Sequence, residues 1–559
     1  MISKWKVALI SNMVLAVLPS VSPLAGVIRS VAYQGARAIS VQALERESIL
    51  HIGSQYSDSL VSLEVARIDS LYFSNGYLRI DVQMDTSAAD GGVDIRFAVT
   101  EGDPTRVGKI SVSGAELIGE ARAVALVRPA EGERFDPFAL GESLGKLLAL
   151  CNESGYPYAQ VWLIGFEYRR EANEVDIKVS ISGGERAMIE HVVFDGITKT
   201  DSSVAMRISR LHLGSIYSEK RIARARQFLG ASGYFASVGE SRLERRSSGA
   251  VDVVIPVKEI ARSNFFQGAL GFSNTEKGKY VLNGSVAMEL KNIAGTGRGV
   301  RFDWLNDGSD YSKLALKYGE PFLLGSPVSL NGELSQIIQD TTYTWNSFAA
   351  YFGYPIGPFA SLVAGAAVDR NVPNSGEIIR SVRERFRFGL TRAGTESGGL
   401  VAYVEGAYRK SYLEGNRVER DGELLYRFDG AVTAPSWNGQ SVSVRLASEA
   451  VFSTGDVQLA ELYPLGGATT LRGYRESQFR GERIAFANLE YRFGEGGWLF
   501  IFDDVGTFYR SGDGWTAKNG TGFGLRSESS LGIVVLSFGV GERLSLEGTR
   551  IHISLVEKF

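Results

Sequence analysis

The chain has 559 residues, 44% hydrophobic and 22% charged, with a formal net charge of −3. That length accommodates several domains, and the near-neutral balance points away from nucleic acid. Cys151 is the single cysteine, so an intrachain disulfide is excluded; it reads as a small buried apolar residue in a helix. The four histidines, His51, His191, His212 and His552, are scattered, with no metal-ligand spacing. A phosphate-loop motif is missing too, so no catalytic residue, metal or cofactor is expected.

The N-terminus begins with Lys4 and Lys6, followed by a mostly apolar run over Val7–Leu18 and small residues with prolines through Ala25. This order is that of a secretory signal peptide over residues 1–25. The run is short for a helical membrane span of roughly 20 residues. Beyond residue 30 no apolar run reaches that length. An outer-membrane barrel fits such a sequence, because short alternating strands leave no hydropathy peak.

A unit of about 80 residues then occurs three times. A short β-like segment ends in Gly35, Gly114 and Gly196, and a second glycine follows at Gly53, Gly132 and Gly214. An aromatic comes three residues on, at Tyr56, Phe135 and Tyr217. A helical stretch leads to Gly76-Tyr77, Gly155-Tyr156 and Gly233-Tyr234, and an alternating strand closes each copy. The predicted order is strand, helix, helix, strand, strand. In the third copy Ser218 is the candidate N-cap of the second helix. Each Gly-Tyr glycine is predicted to end its helix in the left-handed conformation. Boundaries are set at 26–105, 106–184 and 185–260.

From residue 261 to 559 period-two alternation dominates. Val300, Phe302 and Trp304 alternate with Arg301 and Asp303, and Phe386 and Phe388 with Arg385 and Arg387. One face is apolar and the other is rich in charge. At roughly 10 residues per strand plus turns, this length holds about 16 strands. Asn292–Gly299, Glu320–Pro327 and Tyr354–Gly357 are predicted turns. The last segment, Thr549–Phe559, alternates through Ile551, Ile553 and Leu555 and stops on an aromatic, although Glu557 breaks its apolar face.

These features together resemble the BamA/TamA outer-membrane assembly superfamily. The repeat resembles the POTRA domain, the periplasmic module of that superfamily, and Leu471-Arg472-Gly473-Tyr474 resembles its signature tetrapeptide. The resemblance implies three α+β POTRA repeats followed by an all-β transmembrane antiparallel barrel of 16 strands, in the bacterial outer membrane with the repeats in the periplasm. It further implies that the tetrapeptide tips a long loop folded into the lumen, where Glu490 and Asp504 hold Arg472. Gly473 would allow the turn and Tyr474 completes the motif. Asp503 and Asp504 face opposite ways, and spacing to Gly506 selects Asp504. Phe265 in the first strand and Ile553, Leu555 and Phe559 in the last would form the barrel seam and the C-terminal sorting signal.

The function implied is insertion or translocation of β-barrel or autotransporter-type substrates through the POTRA domains and a lateral seam. Three repeats place the architecture nearest the TamA branch. Expected partners are unfolded outer-membrane proteins, a TamB-like inner-membrane protein or assembly lipoproteins, and outer-membrane lipid. The alternative is a two-partner-secretion-type transporter exporting a dedicated exoprotein.

Overall fold

The structure, a computed structural model, describes residues 26–556 apart from 90–91, 262–263, 275–279, 307–310, 340–341, 396–397, 435, 495–498, 530–531 and 542–548. The candidate signal peptide and Phe559 therefore lie outside the described residues. No helix among them is long and apolar enough to cross a membrane. The chain clusters into two compact units. One comprises residues up to His191 with 212–221 and 243–252; the other comprises 192–211, 222–242 and everything from Val253 onward.

In the first repeat β1 (Val27–Gln34) is followed by α1 (Val41–Arg46), α2 (Asp58–Ser74), β2 (Ile80–Ala89) and β3 (Gly92–Glu101). The second has β4 (Arg106–Ser113), α3 (Glu120–Leu126), α4 (Pro137–Glu153), β5 (Gln160–Arg169) and β6 (Glu174–Ser182). The third has β7 (Ile189–Asp195), α5 (Ser202–Ser209), α6 (Glu219–Ala231), β8 (Phe235–Val238), β9 (Arg242–Arg245) and β10 (Val251–Glu259). The closing strand is central each time, in the orders β1-β3-β2, β4-β6-β5 and β7-β10-β8. Alternation gives those central strands one buried face. Val175, Ile177 and Val179 on β6 pack with Leu140, Leu147 and Cys151 on α4.

The repeated glycines have a common cause. Gly35, Gly114 and Gly196 all have positive φ. A Cβ there would lie 2.2, 2.0 and 2.2 Å from the carbonyl oxygens of Val99, Ile181 and Val257 on the closing strands. The first strand can therefore turn off the sheet only where no side chain intervenes. The Gly-Tyr pair receives the chain as it enters the next repeat: Thr105 N–H, just before β4, donates to the Gly76 carbonyl, and Ala187 N–H, just before β7, to that of Gly155.

The third repeat departs from the predicted order, because its edge strand is split into β8 and β9. Pro256 on β10 sits opposite the break. Its carbonyl still accepts from Gly239 N–H at 2.8 Å, but proline returns no donor and the ladder lapses. As expected, Ser218 Oγ caps α6 by accepting from Arg221 N–H at 3.2 Å.

Two carboxylates that end central strands pin the loop after the first strand. Glu101 accepts from Arg37 and Ala38 N–H, and Glu259 from Thr198 and Thr200 N–H. Burial alone raises the Glu259 carboxyl, but hydrogen bonds from Thr200 and Thr198 outweigh it and hold it down to about 2.

The sixteen-stranded sheet comprises β11 (Phe265–Asn274), β12 (Tyr280–Leu290), β13 (Gly299–Asn306), β14 (Tyr311–Glu320), β15 (Ser329–Gln339), β16 (Tyr343–Pro355), β17 (Ala360–Pro373) and β18 (Ile378–Thr395). It continues through β19 (Gly398–Leu413), β20 (Val418–Thr433) and β21 (Gln440–Ser453). A long loop with a small hairpin, β22 (Tyr463–Leu465) and β23 (Phe479–Gly481), intervenes. The sheet ends with β24 (Arg483–Phe493), β25 (Leu499–Arg510), β26 (Gly514–Ser529), β27 (Gly532–Val540) and β28 (Thr549–Val556). Neighbours pair antiparallel throughout, and among the described residues β11 and β28 are the two ends of the order. Polarity is inverted relative to a soluble protein. Phe386 and Phe388 on β18 are each 65% exposed, whereas Arg383 on the other face is 5% exposed. An apolar outer face around a charged interior belongs to a membrane barrel.

Two outcomes follow. Leu147→Ala empties a fully buried site and should cost about 2–5 kcal/mol. Urea denaturation of a fragment spanning residues 26–260, where Trp162 is the only tryptophan, measures it. A depressed carboxyl contributes stability above its ordinary value of 4.5, lost as pH falls towards 2. The melting-temperature gap between wild type and Glu259→Gln should therefore be full at neutral pH and close across that acid range.

Candidate functional site

The loop over residues 454–482 is held together by its own apolar residues. Leu465, Leu471 and Tyr474 pack with Ile484 and Phe486 of β24, and Phe479 stacks on Phe508 of β25 at 5.3 Å. Thr470 Oγ1 both accepts from Gly466 N–H and donates to its carbonyl, closing a tight turn just before the tetrapeptide. Leu471 is fully buried. The next residue is thereby aimed at the barrel wall.

Arg472 is 6% exposed and uses its guanidinium fully. Nε donates to Asp504 Oδ2 and Nη2 to Asp504 Oδ1, each at 2.7 Å, in a bidentate pair. Its backbone N–H donates to Asp504 Oδ2 at 3.0 Å. Nη1 reaches Glu490 Oε1 at 2.6 Å, and Arg492 takes the other Glu490 oxygen at 2.7 Å. The guanidinium also lies over the Phe502 ring, 3.7 Å from its centroid. Asp504 is fully buried while Asp503 faces the other way and is exposed, as strand alternation requires.

The loop backbone lies directly on the wall. Gly473 has φ +92, and a Cβ on it would lie 2.7 Å from the Val540 carbonyl carbon. Across the contact, a Cβ on Gly520 would lie 1.9 Å from the Arg472 carbonyl oxygen, and one on Gly539 2.6 Å from Gly473 N. Wall and tip are both glycine because neither has room for a side chain. Tyr474 Oη donates to the Asn519 carbonyl at 3.0 Å.

The structure thus brings together Arg472, Gly473, Tyr474, Glu490 and Asp504. Phe265 sits apart from them, at the start of β11, paired with Glu289 of β12. Ile553 and Leu555 pair in register with Leu536 and Val534 on β27; their side chains, like Phe559, lie outside the described residues. Sequence reasoning missed His552, whose Nε2 accepts from Gly473 N–H at 3.4 Å and so ties the loop tip to the last strand. Alternation did place His552 on the face opposite Ile551 and Ile553. The wall glycines were missed as well, since glycine in a strand has no face.

A model of the POTRA family, described as the surface antigen variable number repeat, matches residues 26–102 and 187–260. The second repeat, with the same element order, falls between those ranges. The outer membrane protein assembly factor BamA of Nitratidesulfovibrio vulgaris is 24% identical over 539 residues, covering 86% of this chain and 65% of that protein. This similarity runs through repeats and barrel alike. The chain belongs to the BamA superfamily. Its barrel therefore lies in the outer membrane and its POTRA domains in the periplasm. BamA of Buchnera aphidicola is 21% identical over 372 residues, 61% of this chain and 58% of that one. The chain spans less than two thirds of the length of these BamA relatives. CdiB from Escherichia coli has the same fold, with a TM-score of 0.50, 11% identity and coverage of 90% of this chain and 98% of that one.

Arg472→Ala would leave Asp504 buried without a countercharge, at a cost of about 3–5 kcal/mol. Arg472→Lys keeps the charge but not the fork geometry. The temperature at which the barrel loses its folded mobility on unboiled gels should fall for both, with Lys intermediate.

Proposed function

We propose that the protein is an outer-membrane protein assembly factor, whose POTRA repeats receive unfolded β-barrel or autotransporter-type substrates and whose barrel inserts or translocates them through a lateral seam between β11 and β28. The observation that carries this reading is the burial of Arg472 between Asp504 and Glu490. A loop pinned to the inner wall occupies the lumen, which leaves the seam as the route for a substrate strand. A backbone edge in lipid must find a partner, so an opened seam would template an incoming strand. In this reading Arg472, Gly473, Tyr474, Glu490 and Asp504 form the loop lock. Phe265, Ile553, Leu555 and Phe559 belong to the seam and the sorting signal. The division at 26–105, 106–184, 185–260 and 261–559 assigns three repeats to the arm. That count favours a TamA-like branch, with a TamB-like inner-membrane protein or assembly lipoproteins as partners. No covalent chemistry is required.

Depletion followed by outer-membrane proteomics tests the proposal. Broad loss of barrel proteins is the expected result. Loss of a single secreted protein would establish the two-partner-secretion alternative instead. Complementation with Arg472→Ala should leave the protein present in the membrane yet fail to restore the missing barrels.

A further inference from the structure

The same loop is held a second time, by residues outside the tetrapeptide. Its first limb forms a single tight turn over Leu459–Glu461, closed by a reciprocal cap between Gln458 and Glu461. Glu461 points into the wall and its side chain is 1% exposed. One of its oxygens pairs with Arg409 on β19, and the other lies 3.9 Å from Arg383 on β18. Arg409 also donates to the loop carbonyl of Asp456 at 2.6 Å. The Gln458 side chain accepts from Asn371 Nδ2 at 2.7 Å and Ser381 Oγ at 3.0 Å, and donates to Ser411 Oγ at 3.4 Å. Three wall strands thus grip this limb, none of them touched by Arg472.

The charge count is informative. Without the loop, the wall contributes two guanidiniums, Arg383 and Arg409, and two carboxylates, Glu423 and Asp421. Arg383 pairs with Glu423, and Arg409 with Asp421 at 2.8 Å. Glu461 is a third carboxylate, brought in by the loop. Removing it leaves the wall balanced, whereas removing either arginine would orphan a buried carboxylate. The wall can therefore stay folded without the loop, and the loop uses Glu461 to hold to a wall that does not need it.

We propose that Glu461, positioned by Gln458, is a second anchor of this loop, independent of Arg472, and that the lumen opens only when both are released. The two contacts lie on different strands, β18–β19 for Glu461 and β24–β25 for Arg472, so release of one leaves the loop tethered by the other. The inference holds whichever substrate the barrel handles.

The test uses the full-length protein in planar bilayers, comparing ion conductance of wild type, Glu461→Gln, Arg472→Ala and the double variant. Protease cleavage of the loop is followed in parallel, and unboiled gel mobility confirms folding. Independent anchors that must both be released predict an increase for each single change and, for the double, a conductance rise close to the product of the two single fold-changes. A double variant no more conductive or cleavable than Arg472→Ala overturns the proposal, as does Glu461→Gln alone matching the double. Should Glu461→Gln fail to fold, Gln458→Ala replaces it. It removes no charge and is expected to sensitise Arg472→Ala in the same way; no sensitisation overturns the proposal.

Discussion

A buried guanidinium held by two carboxylates on the inner wall is the interaction on which the barrel's arrangement depends. Arg472 cannot sit in a partly dehydrated lumen without countercharge, and Asp504, fully buried, cannot sit there without Arg472. Each makes the other tolerable, and together they fix where a long loop must end. The consequences spread outward. Backbone has to approach backbone, so the tip is Gly473 and the opposing wall is Gly520 and Gly539. Phe502 covers the guanidinium from one face. Tyr474 carries the contact on to the Asn519 carbonyl, and Gly473 N–H to His552 on the last strand. A loop that begins after β21 is thereby tied to the strand at the end of the sheet.

The periplasmic arm follows a different rule, in which backbone geometry is repeated and side-chain chemistry varies. The glycine that ends each first strand meets the same carbonyl of the closing strand in all three copies. The carboxylate that pins the following loop occurs in the first and third copies, as Glu101 and Glu259. The split edge of the third copy traces to one residue, Pro256, whose missing N–H interrupts the ladder. An edge made of two four-residue pieces offers less uninterrupted backbone to a partner strand than the ten-residue β2 and β5.

What could be read from the sequence was whatever depends on local spacing. The repeated glycines showed the arm because the same close approach to a closing strand recurs at the same spacing in each copy. Strand alternation separates Asp503 from Asp504 by face, so that only one could meet the loop; spacing to Gly506 selected Asp504, and the tetrapeptide supplied the arginine. Glu461 was not legible. Its partners, Arg383 and Arg409, lie far earlier in the chain, and alternation assigns a face without naming a partner across the lumen. Glu259 was missed for a related reason: its acceptor role depends on a loop about 60 residues away closing onto the end of β10. Pro256 stood in plain view, but its effect follows only from the strand opposite.

The central claim is that Arg472 and Asp504 act as one unit, and a double-mutant cycle tests it most directly. Arg472→Ala, Asp504→Asn and the double variant would be compared by the temperature at which the folded barrel unfolds. A shared buried pair predicts that each single change is destabilising and that the double is little worse than either alone. Strictly additive losses would mean that the two residues do not hold one another, and would contradict the account.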